Sequence, residues 1–245
     1  MDIFFEIHQD IPREGPGSNE TTRKVFSMIH EFPEIPRILD VGCGPGMQTI
    51  ELAKSTQGDI IALDFHQPFL DVLNKNIQKE RLTDKVKTVH GSMFDLPFEK
   101  ESFNMIWSEG AIYIMGFEKG LKEWKKFLKR NGIIAVSEIS WLKSTVPEEP
   151  LKFWQEAYPG IRSVNENLKI MDTCGYDTIG LYILPESDWW DGYYAPLTKR
   201  IERLQEKYKG NREAEKLLND ETKEIEIFKK YSSYYSYAFY IMQAK

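Results

Sequence analysis

The sequence predicts an α/β fold in which a mostly parallel sheet is covered by helices on both faces. From residue 37 onwards, short apolar runs that end in glycine or an acid alternate with amphipathic segments. This alternation is typical of repeated strand–helix units, which wind right-handed and bring parallel strands together. The apolar runs are continuous rather than alternating, as expected for strands that are buried on both faces.

Seven strands are predicted, in the segments RILDVG (37–42), DIIALD (59–64), VKTVHG (86–91), FNMIWSEG (103–110), GIIAVSE (132–138), DTIGLYIL (177–184) and YAFYIMQA (237–244). Helices are predicted over residues 18–32, 47–56, 68–80, 119–130, 148–158 and 164–173, from apolar positions three and four apart. We assign the left-handed cap of the helix over 119–130 to Asn131-Gly132. Residues 187–236 form a charged, helical insertion between the last two strands.

Composition limits the class of protein. The chain has 245 residues, 41% of them hydrophobic, which is enough for one large domain. Its two cysteines, Cys43 and Cys174, form no disulfide framework and favour a reducing, cytoplasmic location. No run approaches the roughly 18 apolar residues of a membrane span, and the N-terminus lacks the pattern of a signal peptide. The net charge of −6 argues against a nucleic-acid partner.

A glycine-rich loop follows the first strand, in RILDVGCGPGMQT (37–49). Gly42 and Gly44 fit the dinucleotide-binding pattern G-x-G-x-x-G, but its last position is Met47, and the third glycine comes early. A second acid, Asp64, ends the second strand, 24 residues after Asp40. A carboxylate there suits a ribose diol, and the alternative is a cap for the next helix. The loop itself is either a ligand site or an ordinary turn against a helix.

Five motifs in order resemble class I S-adenosylmethionine-dependent methyltransferases, close to the small prokaryotic kind similar to ubiquinone/menaquinone-biosynthesis methyltransferases. They are ILDVGCGPG, ALDF, VHGSMFDLPF, FNMIWSEGAIY and LKRNGIIAVSE. The resemblance implies a Rossmann-like sheet of seven strands with the last one antiparallel, and S-adenosylmethionine as cofactor. The cofactor-binding residues that it implies are Asp40, Gly42, Cys43, Gly44, Asp64, Phe65, Ser92, Met93 and Ser108. Ser92 departs from the family, which usually has an aspartate there.

Outside these motifs, Glu109 and Tyr113 are candidate catalytic residues, because Glu109 ends the fourth strand where sites form in this fold. Glu109 is a general base, an electrostatic partner of a cationic group or a helix cap. The segment PREGPGS (12–18) is either a turn or a lid over the cofactor, in which case Arg13 and Gly15 contact it.

An aromatic set opens the insertion and is either packing or the wall of an acceptor pocket. It consists of Trp189, Trp190, Tyr193 and Tyr194.

We therefore expect a methyltransferase that acts on a small-molecule acceptor by direct displacement, with no metal. Residues 1–36 are expected to form a lid and helix, and residues 37–245 the methyltransferase domain. The alternatives are a nicotinamide-dependent oxidoreductase and a non-catalytic cofactor-binding protein of the same fold. The sequence leaves the acceptor, the methylated atom and the oligomeric state open.

Overall fold

A computed structural model describes residues 3–8, 11, 13–30 and 32–245 of the chain. Its strands are β1 (Arg37–Val41), β2 (Asp59–Asp64), β3 (Val86–His90), β4 (Phe103–Ser108), β5 (Leu128–Trp141), β6 (Arg162–Ser163), β7 (Tyr176–Ile183) and β8 (Tyr235–Ala244). Its α-helices are α1 (Ile3–His8), α2 (Asn19–Ser27), α3 (Met47–Ser55), α4 (Gln67–Lys79), α5 (Phe117–Lys125), α6 (Glu148–Ala157), α7 (Val164–Thr173), α8 (Glu186–Trp189), α9 (Ala195–Lys207) and α10 (Arg212–Tyr231). A 3₁₀ turn spans Ile112–Ile114, and a π-helical turn spans Trp190–Tyr194.

The main path of the sheet has seven strands, in the order β3-β2-β1-β4-β5-β8-β7. Strands β1 to β5 pair in parallel along this path, and β8 runs antiparallel to both β5 and β7. The predicted fold class is therefore confirmed, including the antiparallel last strand. The two-residue strand β6, which pairs with β5 beside this path, was not predicted. Strand order reverses at β1, whose neighbours are β2 and β4, so a crevice opens at the carboxyl ends of these strands.

Burial on both faces of the sheet explains the continuous apolar runs. In β1, Ile38 packs into one hydrophobic cluster, whereas Leu39 and Val41 pack into the cluster on the opposite face. Because successive strand residues point to opposite faces, both sides of each central strand are apolar. The central strands are therefore rigid supports for the loops that follow them.

The helix predicted over 119–130 was wrong at its end. Helix α5 stops at Lys125, and Leu128 already belongs to β5, where it pairs with Phe103. Asn131 does have the left-handed conformation, with φ +58°. Asn131 adopts this conformation in an irregularity of β5, between the paired residues Leu128 and Ile133, and not at a helix end. Asn-Gly favours the left-handed conformation both at a helix end and in a strand irregularity, so the local sequence did not distinguish the two.

The insertion between β7 and β8 forms a third hydrophobic cluster together with α1. Trp189 is buried and stacks on Phe228 of α10, with 4.2 Å between ring centroids. Tyr193 and Tyr194 are also buried, so packing accounts for most of the predicted aromatic set. Across the described ranges, no helix combines the length and the apolarity that crossing a membrane requires.

The contact between the glycine loop and α4 generates a stability prediction. Gly46 has φ +85°, and a Cβ atom there would lie 2.2 Å from Cδ1 of the fully buried Leu73. Gly210 has φ +87° but open space around it. Alanine at position 210 would therefore have the same backbone strain as alanine at position 46, without any steric overlap. We expect Gly46→Ala to lower the free energy of unfolding by about 1–3 kcal/mol more than Gly210→Ala does, because only the former overpacks the core. Urea denaturation measures both, and equal losses would contradict the packing argument.

Candidate active site

A cavity of about 330 Å³ lies at the carboxyl ends of β1, β2 and β4, under the segment that precedes α2. Predicted site residues line it: Arg13, Gly15, Gly42, Cys43, Gly44, Asp64, Phe65, Met93, Glu109 and Tyr113. Asp40, Ser92 and Ser108 are not among its lining residues. The cavity therefore lies where the reversal of strand order predicts a ligand site.

The backbone of the glycine loop is fixed by hydrogen bonds to the neighbouring strand. The amides of Gly42 and Cys43 both donate to the Leu63 carbonyl, at 2.9 and 3.1 Å. A Cβ atom on Gly42 would lie 2.6 Å from that of Ala111, so no side chain fits between the loops after β1 and β4. Glycine thus lets two loops approach each other at the cavity wall.

Asp64 holds the loops after β1 and β2 together. Its Oδ2 accepts from the Gly44 amide and its Oδ1 from the His66 amide, both at 2.8 Å. It does not cap α4, whose N-cap residue is His66 without a side-chain bond. A carboxylate has about four acceptor positions, so Asp64 keeps the capacity to accept two ribose hydroxyls.

Asp40 is fully buried behind the glycine loop. Its Oδ2 accepts from the Thr49 hydroxyl at 2.6 Å, and its Oδ1 has no hydrogen-bond donor within the described part of the chain. Burial raises the pKa of Asp40 to about 7, against the hydrogen bond from Thr49. A buried carboxylate oxygen without a donor is costly, and it fits a site completed by a cationic or hydrogen-bonding group.

Glu109 joins the end of β4 to the N-terminal segment. Its Oε2 accepts from Arg13 Nη1 at 2.8 Å, and its Oε1 accepts from the Thr22 hydroxyl at 2.8 Å and from Trp107 Nε1 at 3.0 Å. Arg13 also donates to Asn19 Oδ1 at 3.0 Å. The side chains of Arg13 and Glu109 are only 7% and 8% exposed, so their ion pair is buried.

Arg13 therefore binds a carboxylate of the protein itself, where the sequence suggested a contact with the cofactor. The two residues are 96 positions apart in the chain, so no local sequence pattern could predict that they pair.

The N-terminal segment passes over the cavity and is attached on the side of the insertion. The Gly17 amide donates to the Asp188 carbonyl at 3.1 Å, and a Cβ on Gly192 would lie 2.5 Å from the Gly17 carbonyl oxygen. At the other side of the cavity, the Phe5 ring stacks on His66 with centroids 3.8 Å apart.

Several lining residues were not singled out by sequence reasoning. Among them are Phe5, Glu14 and Gln48, although Glu14 lies inside the predicted lid segment and Gln48 inside the glycine-loop motif. Burial raises the pKa of Glu14 to about 8, and the charge of Asp64 adds to this effect. Gln48 donates to the Cys43 carbonyl at 2.9 Å and so supports the glycine loop.

The other predicted residues have distinct surroundings. Phe65 is exposed at the cavity. The Ser92 hydroxyl accepts from the Phe94 amide at 3.2 Å, and the buried Ser108 hydroxyl donates to the Val41 carbonyl at 2.9 Å. Burial raises the pKa of the Cys43 thiol well above its usual range, so this cysteine is unreactive. Within the described ranges, no group of three or more histidines, cysteines or acids is arranged to hold a metal ion.

Comparison with known proteins agrees with this geometry. Residues 38–132 match the model of a family described as a methyltransferase domain. This matched segment, residues 38–132, is thus a class I S-adenosylmethionine-dependent methyltransferase domain. It is 33% identical over 105 residues to a demethylmenaquinone methyltransferase of Lactobacillus johnsonii and 31% identical over 111 residues to a sterol 24-C-methyltransferase of Gibberella zeae. These matches cover 42% and 45% of this chain, and 43% and 29% of the relatives, so the chain spans less than half of the length of either relative.

The fold of the methyltransferase domain extends over the whole chain. A Geobacter sulfurreducens S-adenosylmethionine-dependent methyltransferase in complex with S-adenosylhomocysteine superposes with a TM-score of 0.83. The superposition covers 100% of this chain and 98% of that one, at 19% sequence identity. At this identity the likeness concerns the fold, which includes the insertion and the N-terminal segment.

The buried ion pair generates a second prediction. We expect Arg13→Met to lower the free energy of unfolding by about 3 kcal/mol, because it leaves Glu109 buried without a cation. It should also speed hydrogen exchange of the amides of residues 13–18. Lys122→Met is the matched control, since Lys122 pairs with Glu118 on the surface of α5, where the two side chains are 57% and 44% exposed, and the loss of this pair should lower the free energy of unfolding much less.

Denaturation and hydrogen–deuterium exchange measure these effects. Similar losses for both variants, with unchanged exchange at residues 13–18, would show that the Arg13–Glu109 pair does not anchor the segment.

Proposed function

We propose that the chain is an S-adenosylmethionine-dependent methyltransferase that methylates a small-molecule acceptor by direct displacement. The observation that carries this proposal is a cavity lined by both the glycine loop and the strand-end carboxylate Asp64. The buried Asp40, with one oxygen that lacks a donor among the described residues, lies behind the glycine loop.

The residues present fit this cofactor. Asp64 would hold the ribose hydroxyls, Phe65 would lie against the adenine, and Asp40 would receive the ammonium group directly or through water. When bound, the cofactor supplies a methyl group that its sulfonium already activates. Hydrogen bonds of the adenine edge with the Met93 amide and with the Ser92 hydroxyl stay predictions.

The protein's contribution is mainly to align the acceptor and to exclude water. Residues 13–17 serve as the lid, because Glu14, Gly15 and Pro16 line the cavity between two anchored ends. Glu109 acts as a positioning residue, since three donors already occupy its oxygens. A role as general base would require it to release Arg13 or Thr22. Tyr113, which lines the cavity, stays a candidate contact of the acceptor.

A small-molecule acceptor fits a cavity of about 330 Å³. The lid residues Glu14, Gly15 and Pro16 line this cavity, and Gly17 bonds to Asp188 of the insertion, so the site suits a compact group rather than a protein chain or a nucleic acid. The relatives named above are named for quinone and sterol acceptors, which are also small molecules.

Loss of the Asp64 carboxylate tests the cofactor assignment. We expect Asp64→Asn to lower the affinity for S-adenosylhomocysteine by about 2–3 kcal/mol, because the charged hydrogen bonds to the ribose are weakened. Asp71→Asn is the matched control, because Asp71 is exposed on α4 and bonds only to Gln67. Isothermal titration calorimetry measures both variants.

The same titrations on the unmodified chain include S-adenosylmethionine, NAD and NADP. Tight binding of NAD without any response to S-adenosylhomocysteine would overturn the proposed function. A second assay incubates the chain with S-adenosylmethionine and a library of metabolites and measures the S-adenosylhomocysteine formed. If the chain binds S-adenosylhomocysteine but forms none in this assay, it is a non-catalytic binding protein.

A further inference from the structure

A group of tyrosines and carboxyl side chains lies beyond Tyr113, between the carboxyl end of β5 and the insertion. Tyr113 lines the cavity, and its ring centroid is 5.7 Å from that of Tyr158. The Tyr158 hydroxyl donates to Glu138 Oε1 at 2.7 Å. This chain of contacts leads from the cofactor cavity to Glu138.

Glu138 is a buried carboxyl side chain that lacks a full set of partners. It is 1% exposed, and its Oε2 has no hydrogen-bond donor among the residues that the structure describes. Burial raises its pKa to about 7, against the hydrogen bond from Tyr158 and the charge of Arg162. A buried carboxylate oxygen without a donor favours a ligand that brings a positive charge or a donor.

Two more acids approach the same region from helix α10. Glu224 Oε1 accepts from the Tyr194 hydroxyl at 2.9 Å, and Glu221 Oε1 lies 3.8 Å from His8 Nε2. Burial raises the pKa of both carboxyl groups to about 7, and the charge of Glu221 adds to the effect on Glu224. Glu221 and Glu224 are thus acids of the insertion whose charges act on the cavity residue Tyr113.

Both groups of acids act on Tyr113. This residue lines the cavity, and burial raises its pKa, with the charges of Glu224, Glu138 and Glu221 adding to the effect. Tyr237 on β8 also has a raised pKa, with burial as the first cause and Tyr113, Glu138 and Glu224 among the others.

Acids outnumber basic groups in this region, so it becomes negative as these acids ionise. Its acids are Glu138 on β5, Glu221 and Glu224 on α10, and Glu14 in the lid, which acts on Tyr193. Its tyrosines are Tyr113, Tyr158, Tyr193, Tyr194 and Tyr237. The groups of opposite charge that face it are His8 and Arg162. We call this set the tyrosine–glutamate chamber.

We propose that the acceptor is a small organic cation whose positive group binds in the tyrosine–glutamate chamber, against Glu138 and the faces of Tyr113 and Tyr158. Aromatic faces attract ammonium groups, and a buried carboxylate gains most from a charged partner. An anionic acceptor would meet four acids, and a neutral one would leave Glu138 Oε2 without a charged partner. This inference rests on the proposed function, because it assigns the acceptor of the same site.

The test uses the full chain saturated with S-adenosylhomocysteine, titrated with choline and with its neutral isostere 3,3-dimethyl-1-butanol. We expect choline to bind at least about tenfold more tightly, since only choline offers a positive charge to the acids and aromatic faces. Glu138→Gln should remove this preference while keeping the affinity for S-adenosylhomocysteine, and Glu224→Gln should reduce it. Glu226→Gln is the matched control, because Glu226 is exposed on the same helix.

The preference should also depend on pH. Carboxyl groups with a pKa raised to about 7 are mostly protonated at pH 6 and mostly ionised at pH 8. The affinity for choline should therefore rise between pH 6 and pH 8, and less so in Glu138→Gln.

Absence of choline binding, equal affinity for the isostere, or an unchanged preference in Glu138→Gln would overturn the proposal. Failure to bind S-adenosylhomocysteine in the first step would instead overturn the proposed function, so the two failures are distinguishable.

Discussion

The buried ion pair between Arg13 and Glu109 is the interaction on which the arrangement of the site depends. It joins a segment without regular structure to the end of a central strand, and both side chains are almost fully removed from water. Because a buried charge without a partner is strongly unfavourable, each residue fixes the position of the other. Thr22 in α2 and Trp107 in β4 donate to the other oxygen of Glu109, so the pair also orients the start of α2. The roof of the cavity is thus held by charge rather than by apolar burial.

The sheet supplies the rigid half of the site. Residues of β1 pack into hydrophobic clusters on both faces, and the loops that follow β1, β2 and β4 start from strands that cannot shift independently. Hydrogen bonds from the Gly42, Cys43 and Gly44 amides to β2 residues then fix the glycine loop. Only glycine permits the approach to Ala111 at this point. The rigid strand-end loops and the N-terminal segment held by the Arg13–Glu109 ion pair together define the volume that a cofactor and an acceptor must share.

The sequence predicted the features that depend on local patterns, and it failed where contacts are distant. Strand β2 was predicted with its observed bounds, because a buried parallel strand is a short apolar run closed by an acid. The end of α5 was wrong, because Asn131-Gly132 adopts the left-handed conformation in a strand irregularity as readily as at a helix end. The partner of Arg13 lies 96 positions away, and no periodicity reports such a pairing. The glycine loop and Asp64 were found because their spacing follows from the fold itself.

Residues 13–17 and the insertion are joined by direct contacts. Gly17 bonds to Asp188 and approaches Gly192 so closely that a Cβ atom would not fit between them. The same insertion carries Glu221 and Glu224, whose charges act on Tyr113 at the cavity. If residues 13–17 serve as the proposed lid, lifting them breaks contacts with the element that contributes these acids. A displacement reaction needs both partners enclosed at once, and under the proposed function these contacts couple the lid to the acceptor side of the site.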